Sequence, residues 1–144
     1  MASSYPLPAF HFTVESGFSR ISFTEVRGLE AVNIPLTYRE GNSVEYSLMK
    51  IPGMQKFTNL IMKRGICAGD NDLATWFNTI QLHTVERRDL TVALLNENHE
   101  PSHVWKVKNA WPVRATGPVL DAINNTIAFE EIEITHEGIT SELI

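Results

Sequence analysis

Nearly every informative stretch of this chain alternates apolar and polar residues with period two, and one segment, Cys67 to His83, changes to a helical period. That contrast limits the fold to a mainly β architecture carrying one helix. Within the segment, Leu73, Trp76, Phe77 and Ile80 form one apolar stripe at helical spacing, the face expected to enter the core. Gly69 breaks the strand before it, and Asp70 or Asn71 can accept a hydrogen bond from an orphan amide of the first turn. The spacing predicts a helix over roughly residues 71–83 that covers the open face or end of a β-barrel. Leu82, roughly opposite Leu73 around the helix, points either to an outer helix face that is covered too or to fraying of the helix end.

Phe10, Phe12 and Val14 alternate with polar residues, Ser16-Gly17 turns, and Arg20 to Val26 continues with a slip that suggests a bulge before Gly28. Val32, Ile34, Leu36 and Tyr38 then share one parity, Gly41-Asn42 turns, and Val44, Tyr46 and Leu48 return. This predicts a long protruding hairpin over roughly residues 32–48. Pro35 removes a ladder donor and puts its arm at a sheet edge.

A hairpin so apolar is an aggregation hazard unless something covers it. About six docked side chains at roughly 1.5–3 kcal/mol each contribute on the order of 10 kcal/mol. Association costs roughly 4–15 kcal/mol, so one such contact is marginal and several per subunit are ample. A closed ring supplies several.

Ile51-Pro52-Gly53-Met54 reads as a type II turn and Lys56 to Arg64 as the next strand. Leu90 to Leu95 and Val104 to Trp111 form a hairpin, with Trp105, Val107 and Trp111 expected on one face and Trp111-Pro112 closing it. Thr126 to His136 is a last strand, its change of parity suggesting a bulge near Glu130-Glu131. The sum is a single antiparallel β-barrel or sandwich of about seven strands with one flanking α-helix, filling one domain over residues 1–144.

Composition removes several function classes. Twelve Lys and Arg stand against seventeen Asp and Glu, a net charge of −5, which argues against binding nucleic acid by phosphate neutralisation. One cysteine, Cys67, allows no internal disulfide and suits a reducing compartment. The N-terminus shows no basic region followed by an apolar run, and no segment reaches membrane-spanning length, so a soluble chain without a secretion signal is expected.

His99-Glu100-Pro101-Ser102-His103 matches the H-E-x-x-H pattern of zinc proteases, which works only on a helix that puts both histidines on one face. Pro101 in its middle blocks that helix. Asn124-Asn125-Thr126 is a glycosylation sequon without a secretion route, and serine-nucleophile, phosphate-loop and dinucleotide motifs are absent. No catalytic residue, cofactor or metal is expected. A small β-barrel binding an apolar ligand is the alternative reading, supported only by the three tryptophans and the chain's size.

A set of segments then resembles one known family, the tail tube proteins of contractile-tailed phages and of extracellular contractile injection systems. It runs through Phe10-His11-Phe12-Thr13-Val14, Phe23-Thr24-Glu25-Val26-Arg27-Gly28-Leu29, Tyr38-Arg39-Glu40-Gly41 and Lys50-Ile51-Pro52-Gly53-Met54. It continues in Leu60-Ile61-Met62-Lys63-Arg64-Gly65, the helix with Trp76 and Asn78, Glu86-Arg87-Arg88-Asp89, Trp105-Lys106-Val107-Lys108-Asn109-Ala110-Trp111-Pro112 and His136-Glu137-Gly138. In this order, in one chain of this length, the pieces are specific.

The resemblance implies a β-barrel protomer that assembles into hexameric rings stacked as a hollow tube inside a contractile sheath, similar in fold to the haemolysin-coregulated proteins of type VI secretion. Its partners would be itself, the sheath, baseplate or spike and tube-terminating proteins, and a DNA or protein cargo in the lumen, with no membrane insertion by this chain. It would be made and assembled in the bacterial cytoplasm and end in a virion tail or an injection particle released by lysis. Hairpin residues Val32, Ile34, Leu36, Tyr38, Arg39, Glu40, Val44, Tyr46 and Leu48, with Leu82, are the subunit-interface candidates. Thr58, Thr91, Glu131 and Glu133 are lumen-lining candidates, polar strand positions suited to a water-filled channel.

Overall fold

The computed structural model describes residues 5–16, 20–42, 44, 48–66, 72–81 and 84–143. Strands β1 (Phe12–Glu15), β2 (Arg20–Ile21), β3 (Glu25–Arg27), β4 (Ala31–Tyr38), β5 (Met49–Phe57) and β6 (Leu60–Gly65) precede the helix α1 (Asp72–Phe77). Strands β7 (Arg88–Leu95), β8 (Pro101–Thr116), β9 (Phe129–Thr135) and β10 (Gly138–Leu143) follow it. All pairings are antiparallel.

The 16-residue β8 ties two sheets together. Its first part lies between β7 and β10, giving a sheet ordered β2-β1-β7-β8-β10; its last part pairs with β9, giving β8-β9-β6-β3. The outermost strands do not pair with each other among the described residues, so the architecture is an open sandwich rather than a closed barrel.

The change of sheet happens at a bulge. Arg88 faces Ala110 but Leu90 faces Val107, so β8 holds one more residue than β7 there. Asn109 takes a left-handed φ of 51°, a conformation asparagine tolerates. Its amide donates to Asp89 Oδ1 at 3.0 Å, and its side-chain amide donates to Glu137 Oε2. The extra residue reverses parity: Val107 points into the core before it, Ala110 and Pro112 after it. Trp111 therefore leaves the face of Trp105 and Val107, contrary to the expected common face.

Between the sheets pack Val14, Leu60, Met62, Leu90, Val92, Val107, Ala110, Ile132 and Ile134, closed by Leu73 and Trp76 of α1. Trp76 is fully buried; its indole N–H donates to the Glu86 carbonyl at 2.8 Å, and the Arg88 guanidinium lies over its ring at 5.0 Å. The helix is shorter than expected. Thr79 Oγ1 and the Thr79 N–H both donate to the Trp76 carbonyl, and Ile80 N–H donates to the Phe77 carbonyl, three-residue closures that end the helix at Phe77. Ile80 thus falls beyond the last helical turn and is exposed, leaving Leu73 and Trp76 in the core and Phe77 half-buried. The expected strand breaker Gly69 and the expected caps Asp70 and Asn71, together with Cys67, Leu82 and His83, lie outside the described residues.

Other boundaries shift for similar reasons. The slip before Gly28 is a crossing of the chain from β2 in one sheet to β3 in the other. Gly28 sits at φ 94°, where an added Cβ would lie 2.2 Å from the Asn59 carbonyl oxygen. In β9 no bulge exists near Glu130-Glu131: β6 and β9 keep one register from Leu60↔Ile134 to Gly65↔Phe129. Phe129 simply faces outward, under the Lys63 ammonium at 4.9 Å, and Ile127 precedes the strand.

Candidate assembly surfaces

The most unusual element is the β4–β5 hairpin, a two-stranded sheet separate from the sandwich. Every residue of β4, and all of β5 except Gly53 and Phe57, is exposed. It is longer than expected. The return strand is Met49–Phe57, so Pro52-Gly53 lies inside it instead of turning the chain, and Lys56 belongs to it rather than to the strand that follows. Pairing explains this: Asn33 faces Gln55 while Pro35 faces Pro52, so β5 holds one extra residue opposite Ile34. The bulge sits where two prolines withhold amides, and Gly53 is required, since a Cβ there would lie 2.2 Å from the Ile34 carbonyl oxygen.

The bulge leaves β4 regular, so Val32, Ile34, Leu36 and Tyr38 form one row, and across from its far end Leu36 pairs with Ile51 and Tyr38 with Met49. Leu36 is 56% exposed, Ile51 40% and Met49 61%. The row predicted for β4 is thus present, but its cross-strand partners are Met49 and Ile51. Val44 and Leu48 lie exposed in the connection, Arg39 and Glu40 are exposed just past β4, and Tyr46 lies outside the described residues. Met49 and Ile51 were missed because the Pro52-Gly53 pair reads locally as a turn. At its base Phe57 is half-buried, its ring 5.8 Å from that of His136, whose Nε2 lies 2.8 Å from the Thr58 carbonyl oxygen.

A second exposed apolar element escaped the sequence reading. The loop between β8 and β9 presents Val119, Leu120, Ile123 and Ile127, the first three more than four-fifths exposed. Asp121 shapes it by accepting from the Ile123 amide at 2.9 Å and from the Asn124 side chain. The Ile123 amide is the main cause holding the Asp121 carboxyl below its ordinary pKa.

The lumen candidates divide. Glu131 and Glu133 lie on the outer face of the β8-β9-β6-β3 sheet in two cross-strand rows, Arg27–Ile61–Glu133–Arg114 and Glu25–Lys63–Glu131–Thr116. Arg27 pairs with Glu25 at 3.1 Å and reaches Glu131 at 4.0 Å. Thr91 lies instead on the outer face of the other sheet, beside Glu15 and Lys106. Thr58 is a part-buried turn residue whose hydroxyl donates to the Gly28 carbonyl at 3.3 Å. One channel wall cannot hold all four, because the core separates the two outer faces.

The histidines of the H-E-x-x-H match do not converge. His103 packs on Trp105 with ring centroids 4.5 Å apart, while His99 lies against His11. Trp76 belongs to the core and Trp105 packs against it, which withdraws two of the three tryptophans cited for an apolar-ligand site.

A family model described as T4-like virus tail tube protein gp19 matches residues 8–140. A chain of the sheath–tube complex of the extracellular contractile injection system PVC, in the extended state, is 34% identical, with 98% of this chain and 94% of that one covered and a TM-score of 0.91. A chain of the tube-terminating cap of the anti-feeding prophage is 32% identical, covering 100% of this chain and 95% of its own, at a TM-score of 0.92. Hcp1 from Flavobacterium johnsoniae, 13% identical over 92% of this chain and 94% of its own at a TM-score of 0.56, shares the fold. No curated protein matches the chain.

Proposed function

The chain belongs to the T4-like virus tail tube protein gp19 family and is a tube protein of contractile injection systems; from that premise we propose that six copies close into a ring and that rings stack through the β4–β5 hairpin. The observation that carries the proposal is the hairpin's row of exposed apolar side chains on a two-stranded sheet that, among the described residues, pairs with no strand of the sandwich. An isolated two-stranded sheet is marginal in water, so its persistence calls for a neighbour. A contact of this kind is heterologous, one surface of a copy meeting a different surface of the next, which builds rings and open stacks rather than closed pairs.

The lumen wall in this proposal is the β8-β9-β6-β3 sheet with Glu131 and Glu133. Its outer face combines three cations, Arg27, Lys63 and Arg114, with three carboxylates, Glu25, Glu131 and Glu133. A wall on which charges of both signs are interspersed stays wet and offers a passing cargo no large field of one sign. Thr58 and Thr91 are left out of this wall.

The partners follow from the relatives, found in a sheath–tube complex, a tube-terminating cap and a baseplate. The chain works as one domain, meets sheath, baseplate and cap proteins of its own particle, catalyses nothing, and is assembled in the bacterial cytoplasm. Among the described residues no helix is long and apolar enough to cross a membrane. Negative-stain microscopy of the purified chain tests the reading: rings or tubes are expected, and a stable monomer at all concentrations overturns it. Single cysteines placed at Glu131 or at Thr91, with Cys67 replaced by serine, and probed with a thiol reagent too large for the channel separate the walls. Protection at residue 131 and labelling at 91 in assembled tubes are expected; the reverse overturns the lumen assignment.

A further inference from the structure

His11 Nε2 and His99 Nδ1 face each other at 3.1 Å, across 88 residues of sequence, with ring centroids 4.7 Å apart and planes at 61°. We propose that this pair is a binding site for a borderline divalent transition metal ion, Zn2+, Ni2+ or Cu2+, held by the two imidazoles with water completing its shell. The proposal concerns the single chain and does not depend on ring assembly.

The spacing suits it. Two imidazole nitrogens about 2.0–2.1 Å from one metal, at the angles of square or tetrahedral coordination, stand about 2.9–3.4 Å apart. The supports are independent and already in place. His11 directly precedes β1, and its carbonyl accepts the Leu95 amide at 2.9 Å. His99 lies in the turn between β7 and β8, where the Asn96 side-chain oxygen accepts the amides of Asn98 and Glu100 at 2.9 and 3.1 Å. The His99 amide donates to the Asn96 carbonyl at 3.1 Å. His99 holds a left-handed φ of 63°, a conformation non-glycine residues adopt sparingly. A site whose ligands are brought together by the fold loses little further entropy on binding metal.

The donor set selects the ion. Imidazole nitrogens suit zinc, copper and nickel, whereas calcium and magnesium require oxygen-rich shells. No group of three or more metal-ligating side chains occurs among the described residues, so the remaining positions fall to water. His99 is exposed and the pair opens on a groove with Thr13, Glu15 and Thr91, which gives a hydrated ion access. Without metal, one ring donates its N–H to the lone pair of the other. Metal entry needs that proton to move to the far nitrogen of the donor ring, after which both facing nitrogens present lone pairs and the neutral pair keeps its protons. The bound ion then fastens the turn between β7 and β8 to the start of β1.

The test uses the full chain and three variants, His11→Gln, His99→Asn and His103→Gln. Asparagine tolerates the left-handed backbone at 99, so that variant keeps its fold, which the far-ultraviolet circular dichroism spectrum and melting temperature without metal verify. Zn2+ titrated calorimetrically is expected to bind one ion per chain, to raise the melting temperature, and to bind at least tenfold more weakly in His11→Gln and in His99→Asn but not in His103→Gln. Pulsed electron paramagnetic resonance with Cu2+ is expected to report two coupled imidazoles in the unmodified chain and one in either single variant. Absence of saturable binding, or affinity and imidazole count unchanged in both variants, overturns the proposal.

Discussion

Replacing Leu36 and Ile51 together by threonine separates folding from assembly. The two side chains face each other across the hairpin, 56% and 40% exposed, so about half of each remains to be covered by a neighbour. Full burial of such a side chain is worth about 1.5–3 kcal/mol, so docking the remaining half contributes about 1 kcal/mol per residue and about 2 kcal/mol per hairpin. At 1.4 kcal/mol per factor of ten, each hairpin contact weakens about 30-fold. Contacts around a ring act together, so the concentration at which tubes form rises by at least that factor. Threonine keeps the β-branched preference for a strand, and the pair's own cross-strand contact is worth only about 0.2–1 kcal/mol. The melting temperature of the unassembled chain should therefore barely move. Sedimentation across a concentration series, with circular dichroism melting alongside, checks both parts. Tubes forming at the same critical concentration as the unmodified chain would refute the assignment of the hairpin face as an assembly surface.

The remaining predictions concern the protomer and one loop. Trp76→Ala should lose about 3–5 kcal/mol in denaturant unfolding, because a fully buried indole leaves a cavity and strands the Glu86 carbonyl it contacts. Glu130→Ala removes the carboxylate 2.6 Å from Arg64 Nε; Arg64 is 6% exposed at its side chain, so chemical denaturation should show a loss near 3 kcal/mol, the lower end for a broken buried pair because Glu130 is partly solvated. Gly28→Ala forces an L side chain into a positive φ against the Asn59 carbonyl, and a loss of about 1–3 kcal/mol should appear as a lowered melting temperature. Asp121 binds its proton more weakly in the folded chain than when unfolded. Its contribution to the 117–128 loop is therefore present above the ordinary carboxylate pKa and lost as pH falls through the lowered folded value; the Ile123 amide resonance should follow that titration, and one titrating at the ordinary value would contradict it.

What the sequence determined by itself was local periodicity. The period-two rows placed Val14, Leu90, Val92, Ile132 and Ile134 on strands, the helical stripe placed Leu73 and Trp76 in the core, and the alternation put Val32, Ile34, Leu36 and Tyr38 in one row, which is exposed. These follow from neighbours in the chain, since side-chain direction repeats every two residues in a strand and every 3.6 in a helix. Tertiary pairing decided the rest. The extra residue in β5 opposite Ile34 turned Pro52-Gly53 from an apparent turn into a strand, and the bulge at Asn109 sent Trp111 to the other face from Trp105. The split of Thr91 from Glu131 and Glu133 between two outer faces, and the meeting of His11 with His99, depend on which strands lie side by side. No local period encodes that choice, because register and partner are fixed only when distant strands close around a shared core.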